Sequence, residues 1–223
     1  MQVGGNTISN NKYRTMNIET AKRLFDENFI GKDELKPFFK ALGFEDVEIQ
    51  EKPIDYSDSD LQKAAKEGYL LIYGVEHIKG QNITLRFLRD KFGVNPEVSE
   101  PCFYNQDWYL KETFMDETFL NAQWFLIKKD VLEDSRAVMP SDLEKRNLHF
   151  PQAILCAYTF YAFYFARNKY LWWHDFVWCS DTDHNGDRIY VGKYHDVDGV
   201  NKNGFSIHRH LALRPCYGSV NCI

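Results

Sequence analysis

Oxygen-bearing side chains recur at every second position in the stretch DTDHNGD, which runs from residue 181 to residue 187. Asp181, Asp183, Asn185 and Asp187, with a glycine at the sixth position, begin like a calcium-binding loop. The twelfth position, where an EF-hand supplies a bidentate Glu, is Gly192. The pattern makes calcium the candidate cofactor and these four residues its candidate ligands. Turn-forming Asp and Asn without a metal are the simpler interpretation.

Histidines are also concentrated in this part of the chain, because five of the seven lie between residues 174 and 210. In a strand, His208 and His210 would lie on one face and Arg209 on the other, so that two imidazoles could bind one transition metal. No HExxH or comparable signature accompanies them. The alternative function is therefore a metal-dependent hydrolase or nuclease. Its candidate residues are Asp181, Asp183, His195, His208 and His210.

A second polar loop, rich in Gly and Asn, spans residues 196–204 and precedes a predicted strand at 205–213. Polar groups on loops that a rigid scaffold holds are common sites of recognition. We therefore expect a non-catalytic binding or interaction protein that presents the 181–187 and 196–204 loops to a protein, small-molecule or glycan ligand. The candidate binding residues are Asp187, Asp196, Asp198, Asn201, Asn203, His208 and His210.

The elements that must hold these loops are a hairpin and a helix. Apolar and aromatic residues alternate with others in 172–179 and 188–194, and Asn185-Gly186 between them is a common turn signal. The run 152–167 is apolar on all sides, with Pro151 as a suitable first helical residue. This sequence predicts a buried helix behind an antiparallel hairpin.

The N-terminal part of the chain favours helices. Apolar residues follow helical spacing in 18–25 and 35–42, the second with Pro37 in its first turn and Gly43 at its end, and this predicts a helical hairpin. A third function class is a structural or regulatory protein that docks through this hairpin. The runs YLLIY at 69–73 and WFLIK at 124–128 predict strands.

The fold class expected from these elements is α+β. We predict a flexible tail at 1–15, a mainly helical unit at 16–95, and a mixed unit at 96–223 that combines the buried helix with an antiparallel sheet.

The order of features between residues 103 and 217 resembles C-type-lectin-like and formylglycine-generating-type modules. The features that carry it are Asp107-Trp108, the WFLIK strand, the FVWCSD strand, two polar loops, and a last strand that ends in LALRP. The chain has neither the paired cysteines of secreted lectins nor the catalytic cysteine pair of the formylglycine enzymes. The resemblance thus implies a fold whose irregular loops bind ligands. Tyr190-Val191-Gly192 is also similar to the second tripeptide of GIY-YIG nucleases, whose first tripeptide this chain lacks.

Composition limits the other classes of function. The net charge of -5, with acidic and basic residues interspersed, argues against non-specific nucleic-acid binding. Five widely spaced cysteines without a CxxC pair are typical of free thiols in a reducing compartment. The longest apolar run, 153–166, is shorter than a membrane span. We therefore expect a cytoplasmic protein without a membrane partner.

Overall fold

The computed structural model describes residues 16–194, 204–209 and 213–223. The tail predicted at 1–15 lies outside this part of the chain. The helices are α1 (Ile18–Phe25), α2 (Lys32–Ala41), α3 (Asp58–Lys66), α4 (Leu85–Phe92), α5 (Pro140–Glu144) and α6 (Ala153–Arg167). The strands are β1 (Phe29–Ile30), β2 (Tyr69–Tyr73), β3 (His77–Ile78), β4 (Gln81–Asn82), β5 (Trp124–Lys128), β6 (Phe176–Thr182), β7 (Arg188–Tyr194), β8 (Gly204–Arg209) and β9 (Tyr217–Gly218).

Side-chain caps fix the beginnings of the first helices. The side chain of Asn17 accepts a hydrogen bond from the backbone N–H of Thr20, and Ser57 accepts one from Asp60 at the start of α3. Helix α2 begins at Lys32, so Pro37 lies in its second turn. The sequence-based prediction, which placed Pro37 in the first turn, was wrong on this point. The helix starts earlier because Glu34 accepts a hydrogen bond from the backbone N–H of Gly31.

A three-stranded sheet crosses the boundary that the sequence predicted near residue 95. Its strand order is β1-β2-β5, and β2 pairs antiparallel with β5, with Leu71 opposite Leu126. Strand β2 is buried along its whole length. The buried hydrophobic residues around it form one contiguous core, whose members lie between Ala21 and Val220 along the chain. The segments 16–95 and 96–223 therefore share one core.

Helix α6 and a second sheet form the framework of the C-terminal part. The helix is buried from Ala153 to Phe163, because aromatic and aliphatic side chains surround it on all sides. Its N-cap is Gln152, so Pro151 lies before the helix. The prediction that Pro151 is the first helical residue was wrong. The sheet has the order β8-β7-β6-β9, with β9 parallel to β6 and the other neighbours antiparallel.

The two faces of this second sheet pack against different partners. Val177, Val191 and Ile207 belong to the main core, together with α6. On the opposite face, a separate aromatic cluster packs against Leu143 of α5. We call this the outer face, and its aromatic residues are Phe176, Trp178, Tyr190 and Tyr217.

The hairpin predicted around Asn185-Gly186 is present. Trp178 pairs with Tyr190 and Thr182 with Arg188, and Gly186 has a φ of 84°, a conformation that glycine adopts without steric cost. Helices and mixed sheets together place the protein in the α+β class, as predicted. Within the described ranges, no helix combines the length and the apolar character needed to cross a membrane.

Candidate functional site

The carboxylate of Asp183 organises the turn between β6 and β7. Its Oδ1 atom accepts hydrogen bonds from the backbone N–H groups of Asn185 and Asp187, each at 2.9 Å. The backbone of Asp183 also bonds to Asp187 and Gly186 across the turn, at 2.9 Å in each case. This geometry is an Asx-type turn, in which a short acidic side chain satisfies backbone donors that would otherwise lack partners.

Arg209 of β8 neutralises this carboxylate. Its Nη1 atom lies 2.9 Å from Oδ2 of Asp183, whose side chain is fully buried. Burial by itself raises the pKa of Asp183, but the backbone N–H of Asp187 and the Arg209 guanidinium hold the pKa below its usual value. The guanidinium carbon lies 4.6 Å from the ring centre of Trp108, a cation–π contact that fixes the orientation of Arg209.

Glu112 and His184 form the second pair of the site. The Glu112 side chain is 6% exposed and the His184 side chain 66% exposed, and Oε1 of Glu112 lies 2.7 Å from Nδ1 of His184. Oε2 of Glu112 accepts a further hydrogen bond from the backbone N–H of His184 at 2.9 Å. In the neutral imidazole, a carboxylate at Nδ1 favours the tautomer that carries its proton there. Nε2 is then left as a hydrogen-bond acceptor or metal ligand.

The two pairs meet at Arg209, whose Nη1 atom lies 3.8 Å from Oε1 of Glu112. We call Glu112, Asp183, His184 and Arg209 the turn network. One group of three donors suited to a metal occurs in the part of the chain that the structure describes. It consists of Glu112, Asp183 and His184, with one donor atom from each residue within 4.8 Å of the others.

The carboxylates of Asp181 and Asp183, both candidate calcium ligands, accept hydrogen bonds from protein groups. Asp181 accepts a hydrogen bond from the backbone N–H of Ala153 at 2.7 Å, so its carboxylate caps the start of α6. Burial raises the pKa of Asp181. The oxygens of Asp183 accept bonds from the backbone N–H groups of Asn185 and Asp187 and from Arg209. The side chain of Asn185 is exposed and that of Asp187 is half-buried. Calcium binding by these four residues stays a prediction.

His208 lies on the outer face of the sheet, away from Asp183. Its ring stacks on Tyr190 with 5.4 Å between ring centres, and it contacts the edge of Phe176 at the same distance. Burial lowers the pKa of His208 to about 4. His208 and Arg209 therefore lie on opposite faces of β8, as the alternation of a strand had predicted.

The other candidate residues fall outside the described part of the chain. These are Asp196, Asp198, Asn201 and Asn203 of the second polar loop, together with His195 and His210.

Sequence reasoning did not select Glu112, and it gave neither Trp108 nor Arg209 a role in the site. Glu112 is separated from His184 by 72 residues, and no local pattern marks it as a partner. The sequence placed Arg209 only on the strand face opposite to that of His208. Arg209 reaches the turn because β8 pairs with β7 in a register that sets Arg209 beside Ile189.

The fold and the site together define an α+β protein with a carboxylate–histidine network on a β-turn. A scan against protein-family models finds no match to this chain. The search of curated proteins likewise gives no match, and neither does the search of solved structures. The resemblance to C-type-lectin-like modules therefore stays a prediction.

Proposed function

We propose that this protein is a non-catalytic binding protein, and that it recognises its ligand with the surface of the 181–187 turn around His184. The observation that carries the proposal is the 2.7 Å contact between the exposed imidazole of His184 and the buried carboxylate of Glu112. A buried charge that orients an exposed polar ring is an arrangement suited to recognition.

The turn is held in one conformation before any ligand arrives. Asp183 accepts two backbone N–H bonds and one from Arg209, and Glu112 accepts two from His184. Bonds to charged groups are among the stronger ones in proteins. A surface fixed in this way loses little conformational entropy on binding, which raises its affinity for a ligand.

The chemistry of the turn favours a ligand with hydroxyl or amide groups. Nε2 of the neutral His184 ring accepts a hydrogen bond, and the exposed carboxamide of Asn185 both donates and accepts. Sugars and peptide backbones carry matching donors and acceptors. We therefore propose a glycan or a peptide segment of another protein as the ligand.

A paired screen tests this proposal. The parent protein and the His184→Ala variant are applied to a glycan array and to a displayed peptide library, with His149→Ala as the matched control. We expect the screen to find ligands whose affinity for His184→Ala is at least tenfold lower than for the parent protein. The same ligands should bind His149→Ala with the affinity of the parent. Ligands that bind both variants like the parent, or no ligand in either panel, would overturn the assignment of binding to this turn.

A metal-dependent hydrolase is the second candidate, and one observation favours it. Donor atoms of Glu112, Asp183 and His184 lie within 4.8 Å of one another, and two carboxylates with one imidazole form a known set of metal ligands. Against it stands Arg209, since its guanidinium lies 2.9 Å from the Asp183 carboxylate and a cation would have to displace or tolerate it. The hydrogen bonds of the turn network therefore favour the binding protein.

We further propose a reducing compartment such as the cytoplasm. All five cysteines lie within the described ranges as free thiols. Burial raises the pKa of the Cys102 thiol to about 11 and that of Cys222 to about 12, which keeps both protonated and unreactive near neutral pH.

A further inference from the structure

A groove lies between the chain segment 46–50 and the short hairpin of β3 and β4. Its volume is about 520 Å³, within the range of ligand-binding sites. Its apolar surface includes Val47, Ile49, Val75 and Ile78. Three carboxylates also line it, so we call it the acidic groove.

One wall of the acidic groove is a segment with the character of an unpaired strand. Side chains from 47 to 52 alternate between half-buried and exposed, which is the period of an extended strand. Within the described ranges, the backbone N–H and C=O groups of residues 46–49 form no hydrogen bond with another protein group. This wall therefore has donors and acceptors with which a further strand could pair.

The opposite wall includes the outer edge of β3. The backbone N–H of Ile83 donates to the C=O of Glu76 at 3.0 Å. His77 and Asn82, which pair next to this bond, are therefore an antiparallel pair of the type without direct hydrogen bonds. The N–H and C=O of His77 point away from β4, and His77 lines the groove. Both walls thus offer backbone groups to a peptide.

The 46–50 segment is held in place before any peptide binds. The hydroxyl of Tyr73 donates to the C=O of Gln50 at 3.1 Å and accepts from the backbone N–H of Lys52 at 3.2 Å. The carboxylate of Glu51 accepts the backbone N–H of Lys32 at 2.6 Å. A wall fixed in this way loses little conformational entropy when a ligand pairs with it.

The charges of the groove favour a cationic ligand. Asp46, Glu48 and Glu76 line it, and none of them forms an ion pair with a residue that the structure describes. The one lysine of the lining, Lys79, has its Nζ atom 5.6 Å from the ring centre of Phe44. The lysines of α2 border a separate cavity and form no ion pair with these carboxylates. Basic side chains would complement the three carboxylates.

We propose that the acidic groove binds an extended, basic peptide segment of another protein by β-strand addition. The peptide backbone pairs with residues 46–49 and with His77, and alternate apolar side chains pack on Val47 and Ile78. Lysine or arginine side chains between them reach the carboxylates of the rim. The site uses no residue of the turn network, so its failure would leave the function proposed for the turn untouched.

The test uses a fluorescein-labelled peptide of seven residues in which lysine and valine alternate, followed by fluorescence anisotropy. We expect a Kd on the order of 100 μM. An analogue with glutamate in place of lysine should bind at least tenfold more weakly because its charge is reversed. An analogue with N-methyl groups on its valine amides should also bind at least tenfold more weakly, since it keeps the charge but loses the donors of one edge.

Variants of exposed side chains separate this site from general attraction between charges. The double variant Asp46→Lys and Glu48→Lys should weaken binding of the basic peptide at least tenfold. The control is the double variant Glu117→Lys and Asp130→Lys, which has the same net charge but changes carboxylates outside the groove. It should bind within about twofold of the parent. His184→Ala should also bind like the parent.

Hydrogen exchange locates the bound peptide. The backbone N–H groups of 46–49 and of His77 should exchange more slowly when the basic peptide is present, because they then have acceptors. No binding, equal affinity of the N-methylated peptide, or equal losses in the two double variants would overturn the proposal. A dimer of the parent that the Asp46→Lys and Glu48→Lys variant dissociates would also overturn it, since a second copy would then cover the groove.

Discussion

Asp183 and Arg209 join the β6–β7 turn to β8 through an ion pair of 2.9 Å between a fully buried carboxylate and a three-quarters buried guanidinium. The same carboxylate holds the backbone N–H groups of Asn185 and Asp187. One side chain therefore fixes both the shape of the turn and its position on the sheet. This dual role explains why an acidic residue occupies a buried site.

Removal of this carboxylate should destabilise the protein strongly. In Asp183→Ala, Arg209 loses its buried partner and two backbone donors lose their acceptor, so we expect the free energy of unfolding to fall by about 2–4 kcal/mol. Urea unfolding measures the change. Asp134→Ala is the control, because Asp134 is exposed and lies 3.8 Å from Arg146, and it should stay within about 0.5 kcal/mol of the parent. Equal losses in the two variants would contradict the role given to Asp183.

The elements of the fold were largely predictable from the sequence because their signals are local. Alternation and Asn185-Gly186 identified the hairpin, and the all-round apolar surface of 152–167 identified the buried helix. The shared core was not predictable, since the pairing of YLLIY with WFLIK joins segments separated by more than fifty residues and many strand pairings satisfy the same hydrophobic pattern.

The candidate site was predictable only in part, and for the same reason. The sequence placed Asp183 in the turn, but the functions of its oxygens depend on Arg209, which strand register brings to them. His208 and His210 suggested a shared metal site. That site stays a prediction, since His210 lies outside the described residues. The ring of His208 packs among aromatic side chains on the outer face of β8, beside the cluster around Tyr190.

Gly186 should be sensitive to side chains that disfavour positive φ. A Cβ atom there would meet no neighbour within 4 Å, so the cost of a substitution comes from the backbone conformation alone. We expect Gly186→Val to lower the free energy of unfolding by about 1–3 kcal/mol. Gly186→Asn should cost less, since Asn tolerates this region. Thermal unfolding of both variants measures the difference, and an unchanged Tm for Gly186→Val would contradict the turn geometry.

His208 should make stability depend on pH. Its folded-state pKa, about 4, lies below the ordinary value of 6.5, so between these values the unfolded chain binds more protons than the folded one. Its contribution to stability is therefore complete above pH 6.5 and is lost as the pH falls toward 4, by at most about 3 kcal/mol.

Urea unfolding between pH 7 and pH 4.5 measures this dependence, with His208→Phe as the test variant and His149→Gln as the control. We expect a flatter profile in His208→Phe and an unchanged one in His149→Gln. Identical slopes in the parent and His208→Phe would show that His208 is not the group that titrates.

The Glu112→Gln variant should change the tautomer of His184. The carboxylate favours a proton on Nδ1, whereas a carboxamide can present either a donor or an acceptor to the ring. We expect the ¹⁵N shifts of the imidazole, recorded above pH 8, to indicate a protonated Nδ1 in the parent and a larger share of protonated Nε2 in the variant. The same tautomer populations in both proteins would mean that Glu112 does not orient the ring.

The metal content of the protein, purified without added metal or chelator, tests the central claim most directly. We propose that Glu112 and Asp183 hold the turn and its exposed His184 without an ion, so elemental analysis should find far less than one equivalent of any transition metal. Added Zn²⁺ or Ca²⁺ should then leave the Tm unchanged. A stoichiometric metal that is lost in His184→Ala, or a Zn²⁺-dependent rise in Tm that the same variant abolishes, would contradict the binding-protein account and favour a metal-dependent hydrolase.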